Sequence, residues 1–183
     1  MTEPVFHEDW YSAECLEMLA RLAVAVMVRP TVRKYQFIEI GSWEGKSTIA
    51  IAQRIAPRVL VAVDTWLGSP DHESADIAHS RDVLAQFKAN LAATKVSNVR
   101  IEKQDWRDLE WKQPLAFVHL DGDHAYEAVS AQIETLRPLI APGGILCGHD
   151  YWQYFPGVVK AVATCLPWHA QLNDQPLWWW ENV

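Results

Sequence analysis

The chain alternates between short segments that are almost wholly apolar and longer segments in which apolar residues recur every three or four positions. Residues 37–40, 59–63 and 115–120 form such apolar runs, which are typical of strands buried on both faces of a parallel sheet. Residues 12–28 and 126–140 show helical spacing instead. This alternation predicts a parallel sheet with helices packed on both of its faces.

The same reasoning gives the order of elements along the chain. We predict strands over 37–40, 59–63, 99–101, 115–120 and 145–147, and helices over 12–28, 47–56, 80–93, 126–140 and 157–166. Two short segments, 168–172 and 176–181, close the chain. Residues 65–78 are predicted to be irregular, because glycine, proline and polar residues cluster there. The longer stretch 65–80 is expected to be either a lid over a ligand or a disordered surface loop.

Composition and charge narrow the classes of protein. The chain has 183 residues, of which 50% are hydrophobic and 21% are charged, so a single domain with a full core is expected. A net charge of −7 argues against a nucleic-acid partner. No apolar run approaches the roughly 20 residues of a membrane span, and the three scattered cysteines suggest no disulfide framework. We therefore expect a cytoplasmic protein without a membrane partner.

Ten tryptophans are an unusual number for a chain of this length. Most are expected to fill the core or a subunit contact, because an indole buries a large apolar area. Several lie in predicted loops, where a flat ring is suited to hold a flat ligand instead.

Three of the predicted strands are followed by an acid, either directly or after two further residues. These acids are Asp64, Asp121 and Asp150. In a doubly wound sheet, ligands bind beyond the carboxyl ends of the strands. A carboxylate at such a place is poorly satisfied unless a ligand, a metal or a hydroxyl completes it. Several acids that converge on one edge therefore indicate a functional site.

The loop after the first strand admits four interpretations. Its sequence, Glu39-Ile-Gly41-Ser-Trp-Glu-Gly45-Lys-Ser, has two glycines that let the backbone turn and approach a ligand closely. A phosphate-binding P-loop needs one more residue between its glycines, and a dinucleotide fingerprint needs glycine where Trp43 stands. The other two interpretations are a loop that binds a nucleoside cofactor without phosphates and a purely structural turn. Asp64, 19 residues after Gly45, would accept hydrogen bonds from a ribose diol or cap a turn.

Three motifs in this order resemble those of class I S-adenosylmethionine-dependent methyltransferases. They are Glu39-Ile-Gly41 with Gly45 and Ser47-Thr48, then Asp121-Gly-Asp-His124 with Tyr126, then Pro142-Gly-Gly144 through His149-Asp150. The chain is most similar to the small O-methyltransferase-like group of the methyltransferase domain 24 type, over about 35–182. 

The resemblance implies an α/β fold, a doubly wound, seven-stranded, mostly parallel sheet with an antiparallel C-terminal strand. Segments 168–172 and 176–181 would form its closing antiparallel pair. An N-terminal helical extension over 1–34 would precede an S-adenosylmethionine-binding domain over 35–183.

The resemblance also implies which residues bind the cofactor S-adenosylmethionine. Asp64 would hold the ribose, while Trp66 and Trp106 would face the adenine. The full implied set is Glu39, Gly41, Ser42, Gly45, Asp64, Thr65, Trp66, Asp105, Trp106 and Asp121.

A general base and a metal site are implied in the same way. His124, three residues after Asp121, matches the family's base, and an imidazole accepts protons near neutral pH. Asp121, His149 and Asp150 match a site for Mg²⁺, Ca²⁺ or Mn²⁺. His149 stands where relatives often carry an acid, and its imidazole moves the preference toward Zn²⁺, Mn²⁺ or Fe²⁺. His119, in mid-strand, is expected to be a hydrogen-bonded core residue.

We therefore expect a methyltransferase that methylates an oxygen of a small-molecule acceptor, with metal assistance left open. A P-loop-like nucleotide hydrolase and a non-catalytic cofactor-binding protein of the same fold are the alternatives. About 35 residues precede the first strand, too few for a separate recognition domain. The acceptor is therefore expected to be small, or its pocket to be completed by a second subunit of a homo-oligomer.

Overall fold

The computed structural model describes residues 3–69, 72–111 and 114–183. The strands in this part of the chain are β1 (Gln36–Ile40), β2 (Leu60–Asp64), β3 (Val99–Lys103), β4 (Leu115–Leu120), β5 (Ile140–Gly148), β6 (Ala170–Gln171) and β7 (Trp178–Glu181). The helices are α1 (Ala13–Met27), α2 (Lys46–Ile55), α3 (Glu73–Ser80), α4 (Val83–Ala93), α5 (Tyr126–Leu136) and α6 (Pro156–Cys165).

The seven strands form one sheet in the order β3-β2-β1-β4-β5-β7-β6. Strands β1 to β5 run parallel, whereas β7 runs antiparallel to both β5 and β6. The chain leaves β1 toward β3 on one side and returns to β4 on the other, so β1 and β4 border the point where the strand order reverses. This sheet confirms the predicted fold class, and the reversal point is where doubly wound sheets bind their ligands.

Helices cover both faces of the sheet, as the apolar strands require. On one face, α1 and α2 bury Leu19 and Ile51 against Phe37 and Phe117. On the other face, α5 and α6 pack on the side chains that point the opposite way, including Val118. Strand β4 is buried at all of its six positions, which explains why its sequence is a continuous apolar run rather than an alternating one.

The observed elements differ from the predicted ones mainly between residues 65 and 93. Residues predicted to be irregular contain helix α3, and the single helix predicted over 80–93 begins only at Val83. Helix α3 buries only Ser74, so it has no apolar stripe that periodicity could detect. Helix α4 begins where Asp82 caps it by accepting a hydrogen bond from the Ala85 N–H (2.9 Å). Pro70 and Asp71 lie outside the described residues.

Helix α5 is shorter and β5 longer than predicted. The helix ends at Leu136, and a 3₁₀ turn over Arg137–Leu139 leads into β5 at Ile140. Pro138 lies in that turn, where the missing N–H of proline prevents the α-helix from continuing. Among the described helices, none combines the length and apolarity that crossing a membrane requires.

Candidate functional site

A cavity of about 690 Å³ lies beyond the carboxyl ends of the parallel strands. Its volume falls within the roughly 300–1,000 Å³ that is usual for small-molecule sites. Each of the five loops that follow β1 to β5 contributes to its wall, through Gly41, Thr65, Asp105, Asp121 and Asp150. The sheet therefore collects the predicted strand-end residues in one place.

The loop after β1 lies directly against the loop after β4. Gly41 has a φ of +89°, and a Cβ atom at this position would overlap the backbone carbonyl of Asp121. Gly45 has a φ of +88° at the start of α2, and a Cβ atom there would lie 2.8 Å from the ring of Phe87. Only glycine meets both demands at low cost, so these two residues set the path of the loop.

Asp64 holds the same loop from the end of β2. Its Oδ2 accepts hydrogen bonds from the backbone N–H groups of Ser42 (2.8 Å) and Trp43 (2.9 Å). Its Oδ1 accepts one from the N–H of Trp66 (2.6 Å). Burial raises the pKa of Asp64, although these three hydrogen bonds oppose the shift. Asp64 also lines the cavity, so it joins the glycine loop to a ligand position.

Most of the residues predicted to bind the cofactor line the cavity. This group consists of Gly41, Ser42, Asp64, Thr65, Asp105, Trp106 and Asp121. Glu39, Gly45 and Trp66 are not among the lining residues. Gly45 shapes the loop without lining the cavity, while the side chains of Glu39 and Trp66 are buried in the core.

Glu39 is fully buried beneath the loop rather than exposed at its mouth. It accepts hydrogen bonds from the hydroxyls of Ser42 (3.1 Å) and Thr48, and its Oε1 lies 3.1 Å from Nδ1 of His119. Its carboxylate is thus occupied by protein groups. His119 is fully buried and has Tyr11 at its other ring nitrogen (3.2 Å), so it is the hydrogen-bonded core histidine that its position predicts.

The ring of Trp66 packs into the core instead of facing the cavity. It lies 5.3 Å from the ring of Phe87, and its Nε1 donates a hydrogen bond to the carbonyl of Trp43 (2.8 Å). The φ of +56° at Trp66 turns the chain at this point. Of the two indoles predicted to face the adenine, Trp106 alone lines the cavity.

Asp121, His149 and Asp150 form the predicted cluster at the ends of β4 and β5. One ligand atom from each lies within 4.8 Å of the others. Nδ1 of His149 is 3.1 Å from Oδ1 of Asp150 and 3.7 Å from Oδ1 of Asp121. Burial and the nearby charge of Asp150 hold the pKa of Asp121 well above its usual range. Burial would also raise the pKa of Asp150, but hydrogen bonds from His124 and His149 outweigh it and lower that pKa.

His124 is held by the same carboxylate. Its Nε2 lies 2.9 Å from Oδ2 of Asp150. Because the lowered pKa keeps Asp150 ionised, this carboxylate only accepts hydrogen bonds, and Nε2 of His124 must carry the hydrogen. The neutral imidazole then has its lone pair on Nδ1, as in catalytic bases that an acid orients.

Part of the cavity wall comes from residues 3–12, which we call the N-terminal strap. Phe6, Glu8, Trp10 and Tyr11 from the strap all line the cavity. The sequence signalled none of them, because the strap is irregular and has no periodic pattern. The proposed division at residue 34 stays a prediction.

Tyr11 connects the strap to the cluster of acids. Its hydroxyl donates a hydrogen bond to Oδ2 of Asp121 (2.7 Å). Its ring stacks on His149, with 4.1 Å between the ring centres and 28° between the planes. Burial and the charge of Asp121 raise the pKa of Tyr11 well above its usual value, so the hydroxyl remains a donor.

Ion pairs fasten the rest of the strap to the body of the protein. Arg81 binds both Glu8 (2.6 Å) and Glu44, and Glu44 also accepts from the backbone N–H of His7 (2.7 Å). Glu44 is only 2% exposed, so these contacts neutralise a buried charge. The strap is therefore an ordered wall of the cavity.

His72 is a further cavity residue that the sequence did not indicate. It caps the start of α3, where its Nδ1 accepts a hydrogen bond from the Ser74 N–H (3.2 Å) and lies 3.0 Å from the Ser74 hydroxyl. Burial, followed by the nearby His124, lowers the pKa of His72. Its ring centre lies 5.0 Å from that of His124.

The charges of the cavity disfavour a phosphate ligand. Among the described lining residues, the only lysine and arginine are Lys46 and Arg107. Lys46 is paired with Asp9, and Arg107 with Asp105 (2.7 Å). Carboxylates line the cavity at Glu8, Glu44, Asp64, Asp105, Asp121, Asp123, Asp150 and Asp174. A triphosphate would meet uncompensated negative charge here, so the P-loop alternative is not favoured.

The sequence comparison agrees with this geometry. Residues 38–151, more than half of the chain, match the family described as a methyltransferase domain. The chain belongs to this methyltransferase family and is an enzyme of the S-adenosylmethionine-dependent methyltransferase type. The matched residues run from β1 to just beyond β5 and so include the glycine loop, Asp64 and the acid cluster.

Solved structures show the same fold at low sequence identity. The O-methyltransferase NovP is 18% identical with a TM-score of 0.71, and the match covers 92% of this chain and 79% of that one. The calicheamicin methyltransferase CalS11 is 18% identical with a TM-score of 0.62, over 98% and 99% of the two chains. An O-methyltransferase from Bacillus cereus, solved in complex with SAH, is 17% identical with a TM-score of 0.57, over 96% and 82%.

Proposed function

We propose that this enzyme transfers the methyl group of S-adenosylmethionine to a hydroxyl oxygen of a small molecule, with His124 as the general base. One observation carries the proposal: a single cavity contains the glycine loop held by Asp64 and the His124–Asp150 pair. The family supplies the cofactor. The O-methyltransferase descriptions of NovP and the Bacillus cereus protein support oxygen as the atom that is methylated.

The cofactor is proposed to lie across the loops after β1, β2 and β3. Its methionine part would rest on Gly41 and Ser42, and its adenine between Asp105 and Trp106. A carboxylate has about four lone-pair positions, and three positions on Asp64 are taken by backbone N–H groups. Asp64 therefore has room for about one ribose hydroxyl rather than for both.

The base would act on the acceptor at the other end of the cavity. Nδ1 of His124 takes the hydroxyl proton while the acceptor oxygen bonds to the methyl carbon. The bond from that carbon to sulfur breaks, and sulfur keeps the electron pair. Holding the two reactants in contact contributes up to roughly 7–11 kcal/mol. A positioned base adds about 10²–10⁴-fold in rate.

The cluster of Asp121, His149 and Asp150 fits a divalent ion. Burial, and then the charge of Asp150, raise the pKa of Asp121, and a cation between these two partly buried carboxylates would satisfy both. Two oxygens and one imidazole nitrogen suit Mn²⁺, Fe²⁺ or Zn²⁺ better than Mg²⁺ or Ca²⁺. When bound, the ion would act as a Lewis acid and lower the pKa of an acceptor hydroxyl.

Calorimetry with S-adenosylhomocysteine, with and without Mn²⁺, tests the cofactor and metal assignments. We expect binding without metal, and a separate Mn²⁺ titration that Asp150→Asn abolishes. Asp108→Asn removes an exposed acid and should leave both titrations unchanged. No binding of S-adenosylhomocysteine would contradict the proposed function, and Mn²⁺ binding that survives Asp150→Asn would contradict the metal site.

The base is tested by His124→Gln, whose side chain is uncharged. We expect unchanged affinity for S-adenosylhomocysteine but methyl transfer that is slower by about 10²–10⁴-fold. The matched control is His79→Gln, because His79 lies on α3 and contacts only the carbonyl of Ala75 among its described hydrogen bonds. Unchanged methyl transfer by His124→Gln would show that this imidazole is not the base.

A further inference from the structure

Part of the cavity wall consists of aromatic rings that contact one another in a row. Trp10 lies 5.9 Å from His72, His72 lies 5.0 Å from His124, and His124 lies 4.4 Å from Phe155, each measured between ring centres. We call these four residues the ring wall. All four line the cavity, and they come from the strap, the start of α3, the loop after β4 and the start of α6. Successive ring planes are inclined by 70°, 57° and 31°, so the ring wall offers both ring edges and ring faces to a cyclic ligand.

Two members of the ring wall have complementary hydrogen-bonding roles. Nδ1 of His72 accepts from the Ser74 N–H at the start of α3, so the neutral ring carries its hydrogen on Nε2 and is a donor there. His124 is the reverse: Nε2 donates to Asp150, so Nδ1 is an acceptor. A hydroxyl group both accepts and donates one hydrogen bond. The two ring centres lie 5.0 Å apart, so the donor and the acceptor belong to neighbouring side chains of the cavity wall.

Carboxylates outnumber basic side chains along the cavity wall. Asp121, Asp123, Asp150 and Asp174 line the cavity. The two basic residues among the described lining residues are already paired, since Lys46 at the start of α2 binds Asp9 and Arg107 binds Asp105. A bound divalent ion would offset two of these four charges. An anionic acceptor would still face the remaining carboxylates, while the lysine and arginine among the described lining residues are paired with Asp9 and Asp105, and this costs affinity.

We infer that the ring wall is the acceptor site, that it takes an uncharged hydroxyl-bearing ring and excludes anionic ones, and that His72 holds the acceptor hydroxyl toward His124. This inference rests on the proposed function and names its substrate class. His72 is a residue for positioning and specificity, since it gives the oxygen a fixed donor while His124 takes the proton. A phenol and a sugar are both uncharged rings that carry a hydroxyl group, so both belong to this substrate class.

A charge series on one ring tests the exclusion of anions. Catechol, dopamine and 3,4-dihydroxybenzoate are titrated into the complex with S-adenosylhomocysteine, followed by methyl β-D-glucopyranoside and the corresponding glucuronide as a sugar pair. We expect at least one neutral ring to bind at least about tenfold more tightly than its anionic counterpart. The ring that binds distinguishes a phenol from a sugar. Equal or tighter binding of the anions, or no binding of either neutral ring, would overturn the inference.

A second test looks for tighter binding of an anion after one acid is removed, because a misfolded variant would bind more weakly rather than more tightly. Asp174 has a φ of +54°, a conformation that asparagine tolerates well. Asp174→Asn should therefore keep the backbone conformation and remove one negative charge from the cavity wall. We expect 3,4-dihydroxybenzoate to bind at least about threefold more tightly to the variant. No gain would argue against exclusion by charge.

His72→Asn tests the positioning role without removing the helix cap, because asparagine is a good N-cap residue. Its shorter side chain does not place a donor where Nε2 of His72 lies. We expect the neutral ring that binds to lose at least about fivefold in affinity, with KM raised and the affinity for S-adenosylhomocysteine unchanged. His79→Asn, on the same helix, is the control.

Unchanged affinity for the neutral ring in His72→Asn would remove His72 from the acceptor site. S-adenosylhomocysteine is titrated first in every experiment. If it fails to bind, the proposed function is wrong, whereas if it binds and the neutral rings do not, only the acceptor inference is wrong.

Discussion

At the scale of single residues, Gly41 and Gly122 mark the place where the loops after β1 and β4 meet. A Cβ atom at position 41 would overlap the backbone of Asp121, whereas at position 122 the nearest atoms lie 3.6 Å away. Both glycines lie where the two loops touch, and they differ mainly in the space available for a Cβ atom. This difference makes them a matched pair for experiment.

We predict that Gly41→Ala lowers the free energy of unfolding by at least about 2 kcal/mol, because the new methyl group forces the loops apart and strains a positive φ. Gly122→Ala should change it by less than about 1 kcal/mol. Urea denaturation of both variants checks this expectation. Equal losses in the two variants would show that the close approach at Gly41 does not matter.

Asp64 is the second residue whose role follows from its contacts. Asp64→Asn replaces one carboxylate oxygen by an NH₂ group that cannot accept from backbone N–H groups, so the loop loses one or two hydrogen bonds. We predict a loss of about 1–3 kcal/mol in stability, and at least tenfold weaker binding of S-adenosylhomocysteine by calorimetry, about 1.4 kcal/mol. Asp76→Asn, an exposed acid on α3, should do neither.

The sequence located best those residues that follow a predicted strand, because their place in the chain fixes the edge of the sheet at which they lie. Asp121 and Asp150 follow parallel strands, and any residue there reaches the same edge of the sheet. Glu39 was misplaced because it precedes the end of β1 and points with Phe37 into the face covered by α1 and α2. Trp66 was misplaced because a positive φ turns its ring into the core. The sequence did not indicate Tyr11, because its hydrogen bond joins it to Asp121, 110 positions along the chain, and such a contact leaves no local sequence pattern.

At the scale of elements, the parallel strands were predictable and the N-terminal strap was not. A strand buried on both faces needs a continuous apolar run, and that run is visible in any sequence. The strap and α3 are instead held by ion pairs, caps and contacts to distant residues. Such interactions leave no periodic pattern, so their position depends on the rest of the fold.

The ion pairs of the strap predict a stability difference between two arginines. Arg81 is 24% exposed and binds Glu44, whose side chain is 2% exposed. Arg21 is 68% exposed and binds Glu17 one helical turn away. We predict that Arg81→Met costs about 2 kcal/mol or more, because it leaves a buried carboxylate with less compensation.

Arg21→Met should cost less than about 0.5 kcal/mol, since exposed pairs at this spacing contribute little. Urea denaturation of the two variants gives the comparison. Weaker binding of S-adenosylhomocysteine is also expected for Arg81→Met alone, because the strap forms part of the cavity wall. If both variants lose the same stability, the strap is not held by Arg81.

At the scale of the whole molecule, ligand binding and folding are linked, because the cavity is built from all five loops after the parallel strands and from the strap. A ligand that fills it binds the folded state only. At a hundredfold excess over its dissociation constant, such a ligand stabilises the protein by about 2.7 kcal/mol. For a chain of this size, that corresponds to a rise of about 5–11 °C in Tm.

We therefore predict that S-adenosylhomocysteine raises Tm by this amount in differential scanning calorimetry, whereas ATP with Mg²⁺ leaves it unchanged. The reason is the carboxylate lining of the cavity and the pairing of Lys46 with Asp9 and of Arg107 with Asp105, which leave no unpaired lysine or arginine among the described lining residues to receive a triphosphate. Asp64→Asn serves as the control, since it should reduce the shift with S-adenosylhomocysteine at the same concentration. A shift with ATP and none with S-adenosylhomocysteine would favour the nucleotide hydrolase and contradict the cofactor site derived from the glycine loop and Asp64.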